Sequence, residues 1–123
     1  MNILIVEDDI QSAQLIEQFI ERWGHRAEKV DSGKVAMEKF KEDTFDLVLL
    51  DIFLPDIQGY ELIPQFKEID PGIGIVTMTG HNSRDLEAKV RRYGIMYYMT
   101  KPLEKKNLKA LIDHISEINL SKQ

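Results

Sequence analysis

The chain has 123 residues, no cysteine and a formal net charge of −5. That length fits one domain spanning 1–123, the missing thiols exclude disulfides and Cys-based zinc sites, and the negative charge argues against non-specific DNA binding. No apolar stretch approaches the roughly 20 residues of a membrane span and the start lacks the charged region of a signal peptide, so a cytoplasmic location is expected.

Strands and helices are predicted in alternation. Ile3 to Val6 is a continuous apolar run, the pattern of a strand buried on both faces. Ile10, Ala13, Ile16, Phe19, Ile20 and Trp23 follow at helical spacing, and Gly24 ends that amphipathic helix. Arg26 to Val30 is a weak, polar strand suited to a sheet edge. Asp31-Ser32-Gly33 opens a second helix with Val35, Ala36 and Phe40 inward. Leu47 to Leu50 is the second strong strand, and it closes on Asp51.

A loop with Pro55 and Gly59 comes next. Leu62, Ile63, Phe66 and Ile69 mark a third helix, in which Pro64 demands a late start or a kink, because inside a helix it costs about 3 kcal/mol. After the Pro71-Gly72 turn, Ile73 to Met78 forms an apolar strand that ends in Thr79-Gly80. Asn82 is expected to cap a helix carrying Leu86, Val90 and Tyr93, which Gly94 terminates. Ile95 to Met99 is the last strand, leading to Thr100-Lys101-Pro102. Leu108, Leu111, Ile112, Ile115 and Ile118 line the final helix.

Strict alternation of five strands and five helices predicts an α/β fold: a parallel sheet, doubly wound, with helices on both faces. The weak strand at 26–30 favours an edge, and so the flavodoxin-like order 2-1-3-4-5. That order sets the first and third strands side by side at the topological switch point. Four strand ends then carry polar groups: Glu7-Asp8-Asp9, Asp51, Thr79 and Lys101. Two carboxylates about 4 Å apart repel by about 4 kcal/mol at an effective dielectric near 20. A Mg²⁺ ion relieves that conflict, since it takes carboxylate and carbonyl oxygens. Mg²⁺, a lysine and a hydroxyl around a carboxylate suit a phosphoryl group.

The chain resembles a response-regulator receiver domain of two-component signalling, of the chemotaxis-regulator type, over essentially its whole length. The resemblance rests on an ordered set. An acidic pair follows the first strand, Asp51 the third, Thr79-Gly80 the fourth and Lys101-Pro102 the fifth. It implies that Asp51 accepts a phosphoryl group from a phosphohistidine on a histidine kinase or phosphotransfer protein. It implies Mg²⁺ as the cofactor, with Asp8 a direct ligand, Glu7 an outer acid, Asp51 a ligand and Phe53 lending its backbone carbonyl. Thr79 matches the switch hydroxyl, Lys101 the lysine that pairs with the acceptor, and Tyr98 the aromatic switch. Leu54-Pro55 and Gly59 match the loop after the acceptor. The output is a changed affinity for a downstream protein or a fused output domain, with slow self-dephosphorylation and no turnover as an enzyme.

Other readings compete at single residues. Asp9 lies one position late for the acidic pair and reads better as a helix cap. His81 is either a solvated loop residue or one that tunes phosphate lifetime, as the family's residue two past the switch hydroxyl does. A Mg²⁺-dependent phosphohydrolase would usually place a second Asp two residues beyond the nucleophile, where this chain has Phe53. An inactive pseudo-receiver would lack one of the matching residues, and none is missing. Little chain follows Ile118, which leaves no room for a helix-turn-helix, so no direct nucleic-acid binding is expected. The tail from Asn119 to Gln123 does not separate a single-domain regulator from a receiver cut from a longer protein. Lys89, Arg91, Arg92, Lys105, Lys106 and Lys109 make the last third basic, which reads more readily as a solvated face than as a partner surface. Receivers can also dimerise through the last two helices and strand.

Overall fold

Two apolar runs organise the molecule. In the computed structural model, which describes residues 1–121, they form the adjacent central strands β1 (Asn2–Val6) and β3 (Leu47–Asp51). Lys122 and Gln123, the end of the tail considered above, lie outside the described residues. The remaining strands are β2 (Arg26–Val30), β4 (Gly74–Thr79) and β5 (Tyr97–Thr100). All pair in parallel, in the order β2-β1-β3-β4-β5. The polar strand at 26–30 takes an edge, as its sequence requires.

Five helices connect and cover the sheet: α1 (Ile10–Arg22), α2 (Gly33–Glu42), α3 (Ile63–Ile69), α4 (Arg84–Arg91) and α5 (Lys105–Ser121). Successive strand residues face opposite sides, so each continuous apolar run feeds two cores. Ile3, Ile5, Leu47, Leu49, Val76 and Met78 pack against α1 and α5. Leu4, Val6, Val48, Leu50 and Ile75 pack against α2 and α3, where Phe40 and Phe66 meet at 4.7 Å. Each fully buried Leu or Ile contributes about 1.5–3 kcal/mol.

Local chemistry sets the helix ends. Asp9 caps α1 through the Ser12 N–H, which confirms its reading as a cap. Ser32 caps α2 through Val35. Pro64 is accommodated by a late start: a 3₁₀ turn at Gly59–Leu62 precedes α3, and the proline falls in the first turn, where no amide is needed. Ser83, not Asn82, caps α4, accepting from the Leu86 N–H at 3.1 Å. α4 stops at Arg91, short of Tyr93, and Gly94 turns the chain at φ +80°. The Lys67 ammonium donates to the carbonyls of Tyr93 and Gly94 at that turn.

Three further expectations are corrected. Ile10 is 73% exposed and Val35 is 39% exposed rather than inward. Both lie in the first turns of their helices. β5 begins at Tyr97 rather than Ile95, because Ile95 and Met96 pack into the two cores on the way in. No helix among the described residues is long and apolar enough to cross a membrane.

Candidate functional site

All four polar groups project from the same carboxyl end of the sheet, because every strand is parallel. β1 runs into Glu7 and Asp8, β3 ends on Asp51, β4 ends on Thr79, and Lys101 follows β5. Register sets their mutual positions: Val6 pairs with Leu50, Asp51 with Met78, and Thr79 with Thr100.

Glu7, Asp8 and Asp51 each offer a carboxylate oxygen, and these three atoms lie within 4.8 Å of one another. Glu7 and Asp51 are buried, whereas Asp8 is exposed. The Asp9 carboxylate serves the start of α1 and is not one of the three clustered, while the Asp9 N–H donates to Glu7 Oε2 at 3.5 Å. One ammonium answers the cluster: Lys101 Nζ lies 3.2 Å from Asp51 Oδ2 and also pairs with Glu7 Oε1. It sits between two acids rather than across from one. Three carboxylates against one ammonium leave a negative excess that suits a divalent cation.

The titration of the cluster reflects that crowding. Burial pushes the Glu7 carboxyl above its ordinary range; Asp51 adds to the rise and Lys101 only partly offsets it. Burial works against the charged form of Lys101, but its contacts with Glu7 and the charge of Asp51 outweigh this and hold it above the usual lysine range.

The rim is built from backbone. The Phe53 N–H donates to Asp51 Oδ1 at 3.3 Å, and the Thr79 hydroxyl accepts from the His81 N–H at 3.0 Å. The rings of Phe53 and His81 then meet edge to face, 5.4 Å between centroids, joining the β3 and β4 sides. Thr79 is fully buried. Tyr98 stands further out on β5, half-buried, and its hydroxyl donates to Asn82 Oδ1 at 2.8 Å. Gly59 closes the loop after Asp51, and a Cβ there would overlap the Asp51 carbonyl oxygen.

The structure thus brings Glu7, Asp8, Asp51 and Lys101 into one cluster, with Phe53 and Thr79 beside it and Tyr98 apart. Sequence reasoning missed the Phe53–His81 contact and the Asn82–Tyr98 hydrogen bond. Ser83 offered the missed signal: it can cap α4 itself, which frees Asn82 for another partner.

The family model described as "Response regulator receiver domain" matches residues 3–113. The transcriptional regulatory protein ZraR of Escherichia coli (strain K12) is 30% identical over 113 residues, 92% of this chain and 26% of that protein. The cell cycle transcriptional regulator CtrA of Caulobacter vibrioides (strain NA1000 / CB15N) is 31% identical over 112 residues, 91% of this chain and 48% of that protein. The chain therefore spans about a quarter to a half of the length of these relatives. A CheY-like receiver domain protein from Methanospirillum hungatei JF-1 superposes with a TM-score of 0.89 at 27% identity, covering 98% of this chain and 97% of that one. A two-component response regulator from Clostridium difficile gives a TM-score of 0.91 at 26% identity, covering 95% of this chain and 96% of that one. By its fold, its matched span and these relatives, the chain belongs to the response regulator receiver domain family.

Proposed function

We propose that this receiver takes a phosphoryl group onto Asp51 from a phosphohistidine on a histidine kinase or phosphotransfer protein. The observation that carries the reading is the placement of Lys101 Nζ, 3.2 Å from Asp51 Oδ2, beside the clustered oxygens of Glu7 and Asp8. A carboxylate oxygen of Asp51 attacks phosphorus, the P–N bond to the donor histidine breaks, and the imidazole leaves with its electron pair. The Lys101 ammonium offsets charge on the phosphoryl oxygens, and the Thr79 hydroxyl supplies a further donor. Glu7, Asp8, Asp51 and the Phe53 carbonyl are the residues that would hold Mg²⁺, a hard-oxygen donor set suited to that ion. When bound, Mg²⁺ supplies electrostatic stabilisation of the phosphoryl charge.

Phosphorylation adds about 1.5 to 2 negative charges at Asp51. Thr79 and Lys101 respond to that charge, and Tyr98 moves from its outward position as Thr79 shifts. The output is altered affinity for a downstream protein or a linked output domain, read in the cytoplasm. Residues 1–123 act as one receiver unit that does not itself bind nucleic acid, and α4, β5 and α5 offer a dimerisation face. The test is Asp51→Asn treated with a small-molecule phosphodonor and Mg²⁺. Loss of acyl-phosphate labelling supports the assignment, and continued labelling overturns it.

A further inference from the structure

Asp56 lies at the tip of the loop between β3 and the 3₁₀ turn. Its two carboxylate oxygens each accept a backbone N–H from α2: Gly33 at 2.9 Å and Lys34 at 3.0 Å. These are the first two residues of that helix. Amides of a first helical turn have no acceptor within their own helix. The cap of α2 itself, Ser32, takes only Val35. Asp56 therefore supplies, from the loop that leaves Asp51, the two acceptors that α2 lacks.

Packing supports the same attachment. The Ile57 side chain lies so close over Gly33 that a Cβ at 33 would collide with it. The base of the loop is closed separately, by Gly59 against the Asp51 carbonyl and by a bridge between Phe53 and Gln58. The loop is thus closed at its base and pinned at its tip. Phe53 is itself one partner of the base bridge, three residues before the Asp56 anchor at the tip.

We propose that Asp56 is a positioning residue for the cation site: by stapling the loop tip to the start of α2, it holds the Phe53 carbonyl where a divalent cation needs it. The inference rests on the metal ligands named under Proposed function. Asp56 touches neither the ion nor the phosphoryl group. A ligand that is already held loses less conformational freedom when the ion arrives, so the staple acts on affinity.

The experiment compares Asp56→Ala, Asp56→Asn and Ser32→Ala with the wild-type chain. Mg²⁺ is titrated against the backbone amide resonances of Asp8, Asp51 and Phe53, and amide exchange is followed at Gly33 and Lys34. Asp56→Ala is expected to weaken Mg²⁺ binding roughly three- to tenfold and to speed exchange at both amides. Asp56→Asn keeps one acceptor oxygen and falls between. Ser32→Ala removes the other cap of α2 but leaves the staple, so its Mg²⁺ affinity stays at the wild-type value even as the helix weakens. Wild-type affinity in Asp56→Ala, or an equal loss in Ser32→Ala, overturns the positioning role alone. A wild-type chain whose resonances ignore millimolar Mg²⁺ overturns the proposed function and this inference with it.

Discussion

The Tyr98 hydroxyl donates to Asn82 Oδ1 across 2.8 Å, tying the edge strand β5 to the loop that follows Thr79. Tyr98 is half-buried, with the Arg91 guanidinium 5.8 Å from its ring centre. The contact therefore stabilises the outward position of the side chain proposed as the aromatic switch.

Asn82→Ala removes that restraint. A neutral hydrogen bond contributes about 1 kcal/mol net, so the inward population of Tyr98 should rise by up to roughly fivefold. The initial rate of Asp51 labelling by a small phosphodonor should rise with it. Tyr98→Phe should produce a similar gain, and the double variant no more than either single one. Independent, additive gains would show that the two residues act separately.

Metal-free stability should depend on pH through Glu7. Its folded-state pKa stands above the ordinary value of 4.5, so its contribution is fully present at low pH and is lost as pH rises through the raised value. Glu7→Gln mimics the protonated form. Thermal midpoints of wild type and Glu7→Gln in chelator should nearly coincide below pH 4.5 and diverge above it, with the variant more stable. Added Mg²⁺ should close the gap by stabilising the wild type. A constant difference across the pH range would place the titrating group elsewhere.

Gly59→Ala should destabilise the fold by about 3 kcal/mol, measured by urea unfolding, because the new methyl overlaps the Asp51 carbonyl and must displace the loop or the strand end. Gly72→Ala is the control. A Cβ there meets only the Asp70 side chain at 3.6 Å, an ordinary contact.

Phe53→Ala should shorten the life of the phosphorylated state. The Phe53 and His81 rings meet edge to face beside the acceptor, and Phe53 is 38% exposed, so truncation opens a path for water. Phosphate release should quicken by at most roughly tenfold, about 1.4 kcal/mol off the barrier. Loss of label after phosphodonor removal gives the rate directly, and an unchanged rate would remove the ring pair from the account.

The strict alternation of five strands and five helices, led by the apolar runs Ile3–Val6 and Leu47–Leu50, pointed to a doubly wound parallel sheet. The polar strand at 26–30 favoured the order found, because an edge leaves its charges exposed. Parallel strands put all their carboxyl ends on one side, so Glu7, Asp8, Asp51, Thr79 and Lys101 could be gathered before any coordinates were known. These inferences hold because burial acts on every residue of an element and leaves a periodic trace.

Individual side-chain pairings leave no such trace. Lys101 reaches Glu7 from 94 residues away and Asp51 from 50, and its place between them depends on how the β5–α5 loop enters the site. In the sequence Asn82 reads as a helix cap, and only the fold, in which Ser83 takes the cap, shows it as the partner of Tyr98. The reach of Asp56 to α2 depends on where the tip of its loop lies. A single hydrogen bond chosen among several local alternatives is decided by distance in the folded molecule, and only the tertiary structure supplies that distance.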